Sequence, residues 1–294
     1  MRIDLHTHSR ASDGTQSPAE LVEAARAAGL DVLGLTDHDT AAGWAEAQEA
    51  ADRVGIELVP GMEISARHEG HGAHLLAYGV DPDHPGLQAH LRRIIEGRRR
   101  RLPETVARLR AIGIDITEDA VRAEAGEAVA HGRPHVADAL VSLGVVGDRT
   151  EAFRRYLNPG RPAYVDRYAA PLVEVIADVR DAGGVAVLAH AWGRRRDDVP
   201  DAASLAGLAQ AGLVGLEVDH QDHDADQRRR LRAIARDLDL VVTGSSDHHG
   251  TGKIDHELGC NTTAPEEYER LRAAMGSAAS AAGHLGLMGP TESL

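Results

Sequence analysis

Residues 2–14 read RIDLHTHSRASDG, ahead of any helical pattern. Strand alternation sets Ile3 and Leu5 on one face and Asp4, His6 and His8 on the other. Two imidazoles spaced this way can share one metal ion. An edge strand with chance histidines accounts for the stretch equally well, so the rest of the chain has to decide.

Strand and helix patterns alternate through the first ninety residues. SPAELVEAARAAGL (17–30) opens with Ser17, Pro18 and Glu20, a capping-box spacing with proline at the first helical position, and Gly29 lies at its other end. DVLGLTDHD reads as a buried strand and TAAGWAEAQEAADRVG as a helix closed by Gly55; IELVPGMEIS and HLLAYGV are further strands. The rhythm resumes after residue 167, with a helix from Pro171, strand GVAVLAH, a helix near 202–211, strand LVGLEVDH, a helix over 225–237 and strand LVVTGSSDHH. Such alternation implies parallel strands, and their number favours a barrel over an open sheet. The stretch 86–165 reads as several helices, an α-helical insertion between two strands of a discontinuous barrel formed by 1–85 and 166–275. The tail, 276–294, is rich in small residues and carries little chemistry.

Metal-type side chains recur where the strands end. His6 and His8 close the first, Asp37 and His38 the second, Glu63 the third, His190 the strand VAVLAH, and Asp247 and His249 the last. His74 instead opens its strand. In a parallel barrel those ends converge on one face, where active sites are built. Imidazole and carboxylate without thiolate suit manganese, iron or zinc and tolerate magnesium. Glu63, among many histidines, is suited to bridge two ions. Such a centre performs hydrolysis, with phosphoester cleavage the leading candidate.

The bulk numbers agree with this. The 294 residues carry a net charge of −14, which disfavours long nucleic acid as a partner. Residues 92–167 run the other way, with fifteen arginines against eleven acidic residues. No apolar run is long enough to span a bilayer, no signal-peptide pattern opens the chain, and the single cysteine, Cys260, supplies neither a disulfide nor a thiolate cluster. A cytoplasmic enzyme is expected.

DLHTHSRASDG, LTDHDT, GMEIS, HLLAYGV, VLAH and GSSDHH, in this order, resemble the motifs of the PHP family, named for polymerases and histidinol phosphatases. The resemblance implies a distorted (β/α)7 barrel, TIM-like, with three divalent ions at its C-terminal face, Mn2+ foremost and Fe2+, Zn2+ or Mg2+ as substitutes. One ion would be held by His6, His8, Glu63 and Asp247, a second by Glu63, His74 and His190, and a third by Asp13, His38 and His249. The insertion, with HGRPHVADAL, is similar to the cap of the stand-alone branch acting on nucleoside 3′,5′-bisphosphates, which makes Arg133 and His135 the expected phosphate contacts. Arginine's planar fork suits phosphate independently of that likeness. AHAWGRRR departs from the usual pattern, with Ala191 where proline is common, and leaves the roles of Arg194, Arg195 and Arg196 open.

The expected reaction is hydrolysis of a nucleoside 3′,5′-bisphosphate to the 5′-monophosphate and phosphate by water activated at the metals. Alternatives are 5′–3′ trimming of short RNA, histidinol-phosphate hydrolysis, amidohydrolase-type C–N cleavage, and a non-enzymatic module. Bridged amidohydrolase centres commonly use a carbamylated lysine; the one lysine here, Lys253, is poorly placed for that, and Glu63 takes the bridging role. Elsewhere bland readings hold. Asp37 and Asp39 orient a neighbouring ligand, or Asp39 or Thr40 caps a helix. His74 is preferred over His71, and His248 points away from the ligand face. His220 and His223 belong to a solvated loop; His68, His84, His90, His256 and His284 have no supporting context. Arg98 to Arg101 form a solvated helix face, and Cys260 is buried and structural.

Overall fold

A computed structural model describes residues 1–193 and 199–283. Arg194, Arg195, Arg196 and His284 lie outside the described residues. The first half runs β1 (Ile3–Thr7), α1 (Pro18–Ala27), β2 (Val32–Leu35), α2 (Trp44–Val54), β3 (Glu57–His68) and β4 (His71–Tyr78). The inserted region holds α3 (Pro85–Ala111), α4 (Glu118–Ala125), α5 (Arg133–Ser142), α6 (Arg149–Ala152) and a π-helical turn, Phe153–Leu157. The chain then returns through β5 (Ala170–Pro171), α7 (Leu172–Asp181), β6 (Val185–Leu188), α8 (Ala202–Gln210), β7 (Gly215–Asp219), α9 (Ala225–Asp237), β8 (Val241–Gly244) and α10 (Pro265–Ala281). Among the described residues no helix is long and apolar enough to cross a membrane.

Local chemistry explains the helix boundaries. Ser17 Oγ accepts from Glu20 N at 3.2 Å and the Glu20 carboxylate accepts from Ser17 N at 2.7 Å, so both orphan donors at the start of α1 are satisfied. Gly55 ends α2 in the left-handed conformation, φ 68°, which costs glycine nothing.

Seven strands follow the order β1-β2-β3-β4-β6-β7-β8, with β5 paired to β3 off that path. The circle nearly closes where Thr7 bridges His248 and His8 N donates to His248 O at 2.9 Å. The result is a distorted (β/α)7 barrel, with one departure from an all-parallel sheet: β4 runs antiparallel to both β3 and β6. A short turn joins β3 to β4, and a hairpin forces the reversal that an intervening helix would have prevented. β3 also continues to His68, beyond its last pair with β2 at Pro60. Glu63 therefore lies inside a strand. It still reaches the barrel rim, because the parallel ladder ends at Pro60 and His38 bridges Glu63 just above it.

Packing separates the parts. Met62, Ile64, Leu75 and Leu188 meet Val175, Ile176 and Leu231 between sheet and outer helices, while Leu5, Leu76, Tyr78 and Val187 join Tyr268 and Leu271 of α10. The inserted helices enclose a cluster of their own, including Leu102, Leu109, Val121, Val136 and Leu140. α10 passes through residue 276 without interruption, and Met275 belongs to the core.

β1 and β2 approach so closely that only glycine fits at position 34: a Cβ there would lie 2.3 Å from Leu5 O. Gly34→Ala is expected to push β1, with His6 and His8, off the sheet. A cost of about 2–4 kcal/mol follows from forced backbone displacement, read in a thermal melt as a fall of roughly 5–10 °C.

Candidate metal centre

The barrel rim gathers the side chains into one buried cluster. His6 Nδ1–H donates to Glu217 Oε1 at 2.9 Å, which leaves Nε2 as the nitrogen that can ligate. His6 Nε2 faces His8 Nε2 at 3.0 Å. His6 Nε2 lies 3.3 Å from Glu63 Oε2 and 3.5 Å from Asp247 Oδ1; for His8 Nε2 the same distances are 3.2 and 3.4 Å. His6, His8 and Asp247 thus bring three donor atoms close enough to share one ion, and Glu63 Oε2 stands beside both imidazoles.

Glu63 joins this pocket to a second. Its Oε1 lies 2.6 Å from His74 Nδ1 and 2.9 Å from His190 Nε2, while Oε2 lies 3.1 Å from His38 Nδ1. Asp13 anchors a third group, with Oδ1 3.4 Å from His249 Nε2 and Oδ2 3.7 Å from His38 Nε2. His8 and His38 stand at the junctions, and the geometry groups His8 with Asp13, His38 and His249 as well as with His6 and Asp247. His8 Nδ1 and His38 Nδ1 are buried without a hydrogen-bond partner. Unpartnered imidazole nitrogens and anionic oxygens converging in one water-poor space fit cations, and the donor set suits divalent ones.

Electrostatics shows what holds the centre together. Burial alone would depress His6, but the carboxylates of Glu217, Asp247 and Glu63 outweigh it and hold its pKa well above the ordinary value. His8 is likewise raised to about 9, burial being overcome by Asp247 and Glu63. His38 and His249 go the other way, to about 3 and about 4, because burial dominates. Glu63 stays ionised despite burial, held by His74, His38 and His6. Three residues here take left-handed backbone without being glycine: Asp39 (φ 58°), His190 (φ 29°) and Asp247 (φ 52°). Such strain persists only where surrounding contacts enforce it.

Those contacts include residues that the sequence reading passed over. Glu217 takes His6 Nδ1–H, the Ser245 hydroxyl and, at 2.7 Å, His190 N. Asp4, fully buried on the His6 face of β1, accepts from Ser246 N and Gly259 N and braces the loop bearing Asp247. Both signals were present: Glu217 is an acid inside the apolar strand LVGLEVDH, and Asp4 alternates with His6. Asp37 accepts from Ser9 and Ser12 and so fixes the loop that carries Asp13. Asp39 and Thr40 do not cap α2, which starts at Trp44 after Gly43. Asp39 instead binds Ser65 and the Arg98 fork.

Several bland readings need correction. His220 and His223 are buried, because β7 delivers them inward: His220 Nε2 lies 3.1 Å from Asp247 Oδ2, and His223 Nδ1 donates to Val218 O. His256 is buried beside His220. Arg98 and Arg101, one turn apart, face inward while Arg99 and Arg100 stay exposed, so the arginine run is only half solvated. Cys260 is exposed on the loop after β8. His71 is exposed at the start of β4. His248 is tied to His256 O and Gln16, away from the cluster.

Above the rim lies a cavity of about 370 Å³ whose floor includes Glu63, His74, His190 and Asp247. Arg98, Arg101, Arg133 and Arg167 line the same cavity. Burial and repulsion from Arg133, Arg167 and Arg98 push Arg101 well below its usual pKa, and Arg167 falls to about 9 through burial and Arg98. Cations crowded in this way favour an anion between them. His135 does not line the cavity: its Nδ1 accepts from Gly132 N at 3.0 Å and caps α5.

Comparison with known proteins gives a consistent family. Residues 4–114 match the PHP domain model. The chain is 36% identical over 257 residues to the 3′,5′-nucleoside bisphosphate phosphatase of Chromobacterium violaceum, covering 87% of this chain and 90% of that one. It is 38% identical to the 5′-3′ exoribonuclease of Haemophilus influenzae, covering 84% and 90%. The crystal structure of a protein from Bifidobacterium adolescentis, assigned as a metal-dependent phosphoesterase, superposes with a TM-score of 0.88 at 39% identity, covering 92% and 96%.

Two outcomes follow from the geometry. Glu217→Gln replaces an acceptor of three donors with a group that must turn an NH2 toward one of them; manganese affinity is expected to fall about 10–100-fold in calorimetric titration, with the fold intact by circular dichroism. The pH dependence has a definite sign. Metal-free His8 holds a proton up to about pH 9 and must release it to ligate, so metal uptake releases protons and affinity rises from neutral pH toward 9. Equilibrium dialysis across that range measures the slope.

Proposed function

The chain belongs to the PHP family of metal-dependent phosphoesterases, and from that premise we propose that it hydrolyses a nucleoside 3′,5′-bisphosphate to the 5′-monophosphate and phosphate. The observation that carries this reading is one cavity lined both by the clustered imidazoles and carboxylates and by a set of arginines. A substrate with two phosphates engages both. In this reading His6, His8, Glu63 and Asp247 hold one ion, Glu63, His74 and His190 a second, and Asp13, His38 and His249 a third. Mn2+ is the expected species, with Fe2+, Zn2+ or Mg2+ as substitutes. Bound there, divalent ions supply Lewis acidity and activate water.

The protein side of the reaction is positional. Glu217 fixes the His6 tautomer so that Nε2 faces inward. Asp37 and Asp4 hold the two loops that bring Asp13 and Asp247 to the rim. Arg101, Arg133 and Arg167 bind the phosphate that is not hydrolysed, and Arg98, locked to Asp39, ties that set to the ligand loop. Spending remote binding energy on orientation at the reacting phosphate raises turnover as well as affinity.

A short RNA is the second reading, favoured by one feature. A groove of about 1230 Å³ shares Arg101, Arg133 and Arg167 with the cavity wall and extends past Arg67 and Tyr164. Phosphate release by manganese-loaded protein from adenosine 3′,5′-bisphosphate, AMP, histidinol phosphate and a short 5′-phosphorylated RNA separates the possibilities. Preferential turnover of the bisphosphate is expected, with loss of activity in chelator. Arg101→Met should raise KM for the bisphosphate at least tenfold and leave AMP nearly unaffected. Equal turnover of AMP and bisphosphate by the unaltered enzyme would remove the second-phosphate pocket.

A further inference from the structure

The chain has thirty-one arginines and one lysine. That lysine, Lys253, lies six residues beyond Asp247, and its ammonium contacts Asp247 Oδ2. We propose that Lys253 is a catalytic residue: it binds the phosphoryl group undergoing hydrolysis, where it lines the cavity beside Asp247 and His249. This inference rests on the phosphoesterase reading above.

The first argument is a count of donors. Asp247 turns Oδ1 toward His6 and His8, and Oδ2 away from them. Oδ2 is already held by His220, whose Nδ1 accepts from Asp222 N at 3.0 Å, so that the proton sits on Nε2 and is donated to Asp247 at 3.1 Å. The carboxylate is therefore oriented without help from lysine. An ammonium carries three donors, and Asp247 is its one hydrogen-bond partner among the described residues. Two remain for an anion in the cavity, which the partly exposed Lys253 side chain lines together with His249 and Asp247.

Space explains the choice of lysine in a chain that otherwise uses arginine. Arg149 is clamped by both Asp138 oxygens and donates to Asp13 O. Its guanidinium occupies the ground beside the Lys253 loop so closely that a Cβ at Gly252 would lie 2.2 Å from Arg149 Nη1. Lysine's compact ammonium needs less room beside that guanidinium than a second planar fork would. In hydrolysis the water oxygen bonds to phosphorus while the phosphorus–ribose oxygen bond breaks. The bonding pair leaves on the ribose oxygen, which takes a proton from water. Charge stays spread over the non-bridging oxygens throughout. Donors held in place by Asp247 and aimed at those oxygens gain strength as the transition state forms, so their loss lowers kcat more than it raises KM.

The test compares Lys253→Met and Lys253→Arg with the unaltered enzyme, each loaded with manganese and checked for metal content. For Lys253→Met, kcat on adenosine 3′,5′-bisphosphate is expected to fall about 100-fold, with KM raised less, by about tenfold, and metal content unchanged. Lys253→Arg should fail to restore it. Wild-type kcat in Lys253→Met, a change confined to KM, or loss of metal alongside activity would each overturn the proposal. Calorimetric titration of the loaded proteins with inorganic phosphate reads the same contact without turnover: binding should weaken at least tenfold in Lys253→Met, and equal binding would also overturn it. Should the unaltered enzyme release no phosphate from any ester, the bisphosphate reading fails, and the phosphate titration still decides Lys253.

Discussion

Everything at the rim depends on one buried carboxylate. Glu63 offers Oε1 to His74 and His190 and Oε2 to His6, His8 and His38, and is itself buried. A charge buried in this way costs several kcal/mol unless opposite charge and hydrogen bonds surround it. Five imidazoles arriving from three strands and a loop reach it only if β1, β4 and β6 hold their register against β3. The antiparallel β4 is then a requirement of the site. Reversal by the hairpin places His74 across from Ser65, two residues along from Glu63, so that neighbouring strands deliver base and acid to the same level.

The inserted helices share this constraint. Asp39, beside His38 and strained into left-handed backbone, accepts from Ser65 and from Arg98 of α3, and Arg167 donates to the same Ser65 hydroxyl. Arg149 of α6 reaches back to Asp13 O. Two elements of the cap are thus fastened to backbone next to ligand-type residues. The cavity arginines and the imidazole cluster are held as one unit, so the spacing between them is a property of the fold.

How much of this was legible depended on whether the signal was periodic or tertiary. β2 with α2, and α9 over 225–237, follow from apolar spacing and from Gly55. His6, His8, His38, Glu63, His190, Asp247 and His249 announce themselves by recurring near strand ends. The antiparallel β4 was not legible, because a strand's own residues carry no direction. Nor was the inward turn of Arg98 and Arg101, since a run of four arginines looks alike on every face until a partner such as Asp39 selects one. His220 resembled its solvated neighbours in EVDHQDHD for the same reason. Nothing local reveals that Asp247 waits 27 residues away in sequence and 3.1 Å away in space.

Proximity of histidine to carboxylate does not by itself make a ligand, and hydrogen bonds elsewhere on each ring decide the matter. His6 and His249 spend Nδ1–H on Glu217 and on Asp247 O, which frees Nε2 for a cation. His220 is the reverse case: Nδ1 is occupied as an acceptor, so Nε2 must keep its proton, and the nitrogen facing Asp247 is a donor. His223 is closed at both ends, accepting from Trp192 N and donating to Val218 O. His220 thus stands close enough to Asp247 and His256 to suggest a fourth metal group, yet its tautomer assigns it to holding Asp247 in place. The same backbone donors and acceptors that fold the loops therefore sort the histidines into those with a lone pair to give and those without.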